Sequence, residues 1–364
     1  MQLETTFEIG NAQIGAGNPT FVIAEISANH CGNLKRAIQL IYAAKFAGAD
    51  AVKLQTYTAD TLTIDCERPE FLIKGTIWDG QKLYDLYNEA HTPWHWQPEL
   101  KAKADEIGIQ LFSSPFDSSA VRFLQQMDVP AYKIASFEIG DVDLLRAVAQ
   151  TGKPVIVSTG MAEPEEIEFA IETLRKNDVT QIALLKCTSA YPAPAESMNV
   201  RTVRAMIDQF GCPCGLSDHS LDHDAAVASV CLGGSIIEKH LTLSRDDGGP
   251  DAAFSLEPLE FAEMVERVRA AERVLGKVQF GSSDSDKSNR VFRRSLFIVE
   301  DVAAGELFTR ENVRSIRPGY GLEPKFFEQI IGGRATRDLK RGTPLAWDHV
   351  ASRESKKQTS IRPH

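Results

Sequence analysis

The chain has 364 residues, 43% apolar and 25% charged, a balance that supports a sizeable core and excludes disordered, collagen-like and disulfide-scaffold chains. Fifty acidic residues against 40 basic ones give a formal net charge of -10, so the overall surface repels nucleic-acid backbones and anionic membranes. No apolar run approaches the roughly 18 residues of a membrane span, and the first residues lack a signal peptide's basic and apolar regions. Six scattered cysteines (31, 66, 187, 212, 214, 231) form no CxxC pair and read as reduced thiols. The expected compartment is the cytoplasm.

In chain order, short apolar strand patterns recur at 21–26, 51–55, 109–113, 131–135, 154–158, 182–187, 214–217 and 235–240. Amphipathic helix patterns lie between or after them at 34–47, 119–126, 163–176, 200–210, 225–232 and 258–275. Near-continuous apolar strands alternating with helices indicate a parallel sheet covered on both faces. Eight such units suit a closed (β/α)8 TIM barrel over 1–279; a doubly wound open sheet is the alternative, and no GxGxxG turn favours it. One connection, after Gln55, is too long for a single helix. It carries Trp78, His91, Trp94, His95 and Trp96, and such a loop falls on the catalytic face of a barrel, where aromatics wall sugar sites. The other reading is a satellite hydrophobic cluster that packs the insert onto the barrel. A polar segment, 280–291, reads as a structureless linker. A small strand-and-turn unit follows at 292–352, too small for a large core of its own, and the polar tail 353–364 is expected to be disordered.

Chemistry concentrates at the strand ends. Glu25, Lys53, Gln55, Ser114, Lys133, Ser136, Glu138, Ser158, Lys186, Ser189, Ser217, His219, Glu238 and His240 all fall there. A closed barrel places charges at strand ends only with partners or a ligand. Lysines at 53, 133 and 186 among short hydroxyls read as a pocket for a small multiply charged anion; a structural ion network with Glu25, Glu138 and Glu238 is the competing reading. His219 and His240 end adjacent strands, where two imidazoles suit Mn2+, Zn2+ or a similar ion. Core histidines or a proton-transfer pair remain open alternatives, and His349 reads as a loop or surface residue.

The strings Ala24-Glu-Ile-Ser-Ala-Asn-His30, Val52-Lys-Leu-Gln-Thr56, Ser113-Ser-Pro-Phe116, Tyr132-Lys-Ile-Ala-Ser136, Val157-Ser-Thr-Gly-Met161, Gly215-Leu-Ser-Asp-His219 and Gly234-Ser-Ile-Ile-Glu-Lys-His240 resemble the sialic acid synthase family. Ile316-Arg-Pro-Gly-Tyr-Gly321 resembles its antifreeze-like (SAF, β-clip) domain. Lys186-Cys-Thr-Ser-Ala-Tyr-Pro192, His91-Thr-Pro-Trp94 and Gly248-Gly-Pro-Asp-Ala-Ala-Phe-Ser255 look most like the pseudaminic acid synthase branch. The resemblance implies condensation of phosphoenolpyruvate with an aldose, here 2,4-diacetamido-2,4,6-trideoxy-altrose, to a nine-carbon 2-keto acid. N-acetylneuraminate or legionaminate synthesis would keep the chemistry and change the sugar, and a non-catalytic carbohydrate-binding protein is the remote alternative.

Position by position, the resemblance implies phosphoenolpyruvate contacts at Lys53, Lys133, Ser114, Ser136, Ser158, Ser217 and Ser189. It implies divalent metal ligands at His219 and His240, with Mn2+ first and Mg2+ or Co2+ as alternatives. Tyr191, Asp251 and Gln55 match sugar-side positions, and Glu25 matches the acid of the family's first-strand motif; Glu25 or Glu138 is the expected catalytic carboxylate facing the cation that develops at C2. Arg317 matches an arginine that reaches into the partner's barrel, which implies a domain-swapped homodimer. Apolar groups on the altrose sugar lead us to expect a wall from the Trp-rich insert.

Overall fold

A computed structural model describes residues 2–351; the tail at 353–364 lies outside them. The chain forms two compact units, divided between Gly276 and Lys277.

The first unit opens with an antiparallel hairpin, β1 (Thr6–Ile9) and β2 (Ala12–Gly15). Eight parallel strands then close into a barrel: β3 (Phe21–Glu25), β4 (Ala51–Thr56), β5 (Gln110–Pro115), β6 (Tyr132–Ile134), β7 (Val155–Ser158), β8 (Ile182–Cys187), β9 (Cys214–Asp218) and β10 (Ile236–His240). Consecutive strands pair in order, and β10 pairs with β3 to complete the ring. The open-sheet alternative is therefore excluded.

Around the barrel run α1 (Leu34–Phe46), α2 (Ala59–Leu62), α3 (Leu83–Ala90), α4 (Gln97–Ile107), α5 (Ser118–Gln126), α6 (Val142–Ala149), α7 (Pro164–Arg175), α8 (Arg201–Phe210), α9 (Asp224–Cys231) and α10 (Pro258–Leu275). Side-chain caps begin several of them. Asn33 accepts from the amides of Lys35 and Arg36, and Asp117 from those of Ser119 and Ala120, satisfying amides that a helix start leaves open.

Apolar side chains fill two layers. Inside the barrel, Ile23, Phe112 and Ile156 pack with Phe7, Ile9 and Ile14 of the hairpin. The hairpin closes the barrel at the end where the strands begin, since Gly10 lies against Gln110 at the start of β5 and Glu4 accepts from Thr180 just before β8. Burying Ile9 and Ile14 completely contributes roughly 1.5–3 kcal/mol each. Outside, Leu40, Ile41, Phe261 and Met264 of α1 and α10 pack on Val22, Val52 and Ile237. With the opposite end plugged, the carboxyl ends of the strands are left for chemistry.

The second unit pairs β11 (Ser295–Ile298) with β12 (Val313–Ile316), and among its described residues carries one short α-helix, α11 (Phe327–Ile330). It has a core of its own, built from Leu296, Ile298, Phe308, Val313, Leu339 and Leu345. Two expectations are corrected here. The 280–291 segment is not wholly structureless, because Lys287–Phe292 forms a 3-10 helix. His349 is buried, its Nδ1 accepting from the Ala346 amide and its Nε2 facing Arg337.

Candidate active site

A cavity of about 410 Å3 opens at the carboxyl ends of the barrel strands. Alternation along each strand decides which residues reach it. Lys53 and Gln55 on β4, Ser114 on β5, Lys133 on β6, Ser158 on β7, Cys187 on β8, Ser217 on β9, and Glu238 and His240 on β10 face in. The residues between them face out. Of fifteen site residues named from sequence, thirteen line this cavity: these nine without Cys187 and Glu238 account for seven, joined by Ser136, Glu138, Ser189, Tyr191, His219 and Asp251. Glu25 is completely buried against Lys53 rather than on the cavity surface. Arg317 belongs to the second unit, where it is exposed just before the cis peptide to Pro318.

Lys186 is a correction. Because Cys187 faces the cavity, its neighbour must point away, and the Lys186 ammonium donates instead to the Cys187 carbonyl (2.6 Å) and to Thr188 Oγ1 (3.1 Å). The cationic end of the cavity therefore has two lysines, not three.

Those two lysines and two glutamates form one buried network. Lys53 contacts Glu25 directly, and both Lys53 and Lys133 lie 3.6 Å from Glu238 Oε1. Ser217 Oγ donates to the same Glu238 oxygen (3.2 Å), and Lys53 donates to Ser114 Oγ (3.3 Å). A left-handed turn at Ser27 (φ 36°) brings its amide 2.7 Å from Glu25 Oε1. The ion-network reading and the anion-pocket reading thus describe the same atoms. Sequence reasoning treated Glu238 only as a lysine partner, yet it is the hub. Its position two residues before His240 on an alternating strand was the available signal.

Burial opposes the Lys53 charge, but Glu238 and Glu25 outweigh it and raise the lysine's pKa. For Lys133, burial wins over Glu238 and lowers it. Burial also raises Glu25 against the pull of Lys53. At the cavity wall, burial raises Glu138 to about 7, with Lys133 pulling the other way.

Several polar atoms here are buried without a hydrogen-bond partner: Glu138 Oε2, Ser158 Oγ, Glu238 Oε2 and His240 Nδ1. Native interiors rarely leave such groups unmet, so their convergence on one cavity marks a place built for a polar ligand. Nearby, Ser136 and Ser189 bring their hydroxyls within 3.2 Å. Gly160 (φ 49°) permits this, because a Cβ there would lie 2.4 Å from Ser136 Cβ and 3.1 Å from Ser189 Oγ.

The two cavity histidines stand with ring centroids 5.4 Å apart. His219 Nδ1 lies 3.0 Å from the Thr188 carbonyl, which fixes its tautomer and turns Nε2 into the free lone pair. Burial holds His240 well below the usual imidazole range, and therefore neutral, with Nδ1 unpartnered. Two such nitrogens fit a divalent ion whose other positions go to water or substrate. Among the described residues no cluster of three or more His, Cys, Asp or Glu is arranged for a metal.

The insert divides between the two roles considered for it. Trp78 lines the cavity, 5.8 Å from Tyr191 between ring centroids. Trp94 stacks on Phe123 and donates to the Tyr57 carbonyl, while Trp96 packs edge-on to His30. The latter two are packing residues. Tyr57, Phe116, Tyr87 and Phe254 also line the cavity and went unnoticed in sequence, because nothing in their local pattern separates a wall from a core.

A family profile described as the NeuB family matches residues 40–280, and a SAF domain profile matches 293–351. The pseudaminic acid synthase of Campylobacter jejuni is 44% identical over 338 residues, covering 93% of this chain and 98% of that protein. The pseudaminic acid synthase of Helicobacter pylori is 40% identical, covering 91% and 98%. The N,N'-diacetyllegionaminic acid synthase of Legionella pneumophila is 35% identical, covering 92% and 96%. Among solved structures, the N-acetylneuraminic acid synthetase of Leptospira borgpetersenii superposes with a TM-score of 0.71 at 31% identity, covering 79% of this chain and 96% of that one. With a strand-end site in a closed barrel and these matches along nearly its whole length, the chain belongs to the NeuB family and carries a SAF domain after the barrel in sequence.

Proposed function

We propose that this chain is a pseudaminic acid synthase. It condenses phosphoenolpyruvate, 2,4-diacetamido-2,4,6-trideoxy-altrose and water into a nine-carbon 2-keto sugar acid and phosphate. The observation that carries the reading is 44% identity to a pseudaminic acid synthase across 93% of this chain and 98% of that protein, against 35% for the legionaminic acid synthase of Legionella pneumophila.

Lys53 and Lys133 hold the anionic ends of phosphoenolpyruvate, and Ser114, Ser136, Ser158, Ser189 and Ser217 donate to its oxygens. Tyr191, Asp251 and Gln55 orient the open-chain sugar so that its aldehyde carbon meets C3 of phosphoenolpyruvate. A divalent ion held by His219 and His240, Mn2+ before Mg2+ or Co2+, supplies Lewis-acid polarisation when bound. As C3 bonds to the aldehyde carbon, positive charge develops at C2. Glu138, ionised above about pH 7, faces that charge. Water attacks C2, its proton passing to Glu25 by way of Lys53 at the cavity floor, and the C2–O bond to phosphate breaks, releasing inorganic phosphate toward the lysines. Arg317 completes the site from the small domain of a partner protomer in a homodimer, and the enzyme works in the cytoplasm. No described helix is long and apolar enough to cross a membrane.

The test is phosphate release from phosphoenolpyruvate with Mn2+, run with the altrose sugar and with N-acetylmannosamine, each with a chelator control. Release with the altrose sugar alone, abolished by chelation, is expected. Release with N-acetylmannosamine instead would overturn the substrate and leave the reaction.

A further inference from the structure

The cavity is divided by origin. Its charged side chains stand on barrel strands and on the loops directly behind them, whereas residues 57–90 lie wholly within the insert. That stretch holds ten Asp, Glu, Lys and Arg residues, yet among the described residues that line the cavity it contributes no charge. Several of its charges pair with one another away from the cavity: Lys82 bridges Asp65 and Glu67, and Arg68 holds Glu70. What it turns inward is Leu62, Ile73, Trp78, Leu83 and Leu86; its polar atoms there are hydroxyls and the Trp78 indole N–H. The indole N–H is already used. It donates to the Pro250 carbonyl (3.1 Å), one residue before Asp251. The indole also sits beside Tyr191 and Phe254. Trp78 thereby ties the insert to the loop behind β10, on the sugar side of the cavity. A segment so rich in charge that keeps every charge off one wall has made that wall an uncharged and largely apolar surface.

We propose that residues 57–90 form the specificity-determining wall for the acceptor, receiving its C6 methyl and acetamido methyl groups, with Trp78 fixing the wall across the mouth through Pro250. This rests on the chain being a pseudaminic acid synthase. A C6 hydroxyl seated against Leu62, Ile73, Leu83 and Leu86 would gain no hydrogen bond from those four side chains. An apolar pocket of this kind discriminates against such an analogue by about ten- to a hundredfold in kcat/KM.

The test compares the 6-deoxy sugar with its 6-hydroxy counterpart at saturating phosphoenolpyruvate. The wild-type enzyme, Ile73→Asn and Trp78→Phe are assayed in parallel. Ile73→Asn is expected to narrow the preference for the 6-deoxy sugar by about tenfold, leaving the KM for phosphoenolpyruvate unchanged. Trp78→Phe keeps the ring and loses the N–H, and is expected to raise the KM for sugar alone. Wild-type preference and sugar KM retained in both variants would overturn the wall. Failure of the wild-type enzyme to turn over either sugar is a different pattern, and would overturn the parent reading together with the wall built on it.

Discussion

Lys53 and Lys239 are both buried in the barrel and both sit against carboxylates, yet their surroundings differ in a way that separates structure from function. Lys239 points outward from β10. Its ammonium donates to Asp218 Oδ2 (2.7 Å), Ser220 Oγ (3.2 Å) and the Asp222 carbonyl (3.0 Å), and Asp218 Oδ1 accepts from the amide and hydroxyl of Ser220. Every strong valence is used, and both side chains are inaccessible to solvent. Lys53 points inward from β4, where Glu238 Oε2 and Ser158 Oγ nearby have no partner. A closed cluster holds the strands in register; an open one waits for a ligand.

The sharpest way to break this contrast is Lys239→Met, which leaves Asp218 buried and uncompensated. We expect a loss of about 3–5 kcal/mol in unfolding free energy, read by chemical denaturation; an unchanged midpoint would erase the structural assignment. Lys53→Met should cost less stability, because burial already favours neutral Glu25 and Lys133 still faces Glu238, while kcat/KM falls by about 10²–10³, the scale for losing one preorganised donor. Glu25→Gln is expected to lose about 10² or more in kcat with phosphoenolpyruvate binding retained. Weakened phosphoenolpyruvate binding at unchanged kcat would mean that Glu25 acts only by holding Lys53.

Glu138 gives a pH test. Its folded pKa, about 7, lies above the ordinary 4.5. Its protonated form therefore adds stability that is full below pH 4.5 and fades as pH rises through about 7. Activity that needs the ionised form should climb over the same interval. In Glu138→Gln both trends should flatten, seen as a smaller Tm difference between pH 5 and pH 8 and a flatter kcat profile. The smallest effect belongs to Lys186→Met. Outward facing, it should leave the KM for phosphoenolpyruvate unchanged; a large increase would return Lys186 to the anion pocket.

The barrel was legible because its strands are buried on both faces. Continuous apolar runs such as Val155–Ser158 and Ile182–Cys187 stand out from amphipathic helices. Helices inside the long insert, α3 and α4, were not read, because aromatic and charged residues mask their apolar spacing. The opening hairpin was also passed over, although Gly10-Asn11 between Phe7, Ile9 and Ile14 is a two-residue turn signal. At the site, listing strand-end residues found nearly every lining side chain from the barrel. Applying the two-residue alternation more strictly would have removed Lys186 and promoted Glu238. The apolar lining was beyond reach, since Leu62 and Ile73 acquire their role only when the insert folds back over the barrel.

The two ends of the cavity are also written differently into the gene. Its charged end is assembled from strand termini scattered between Lys53 and His240, so altering it requires coordinated changes across most of the barrel. The apolar lining contributed between 57 and 90 is one uninterrupted stretch. If that stretch selects the acceptor as proposed, a single recombination there, or a few neighbouring codon changes, would trade one acceptor for another and leave the strand-end residues untouched.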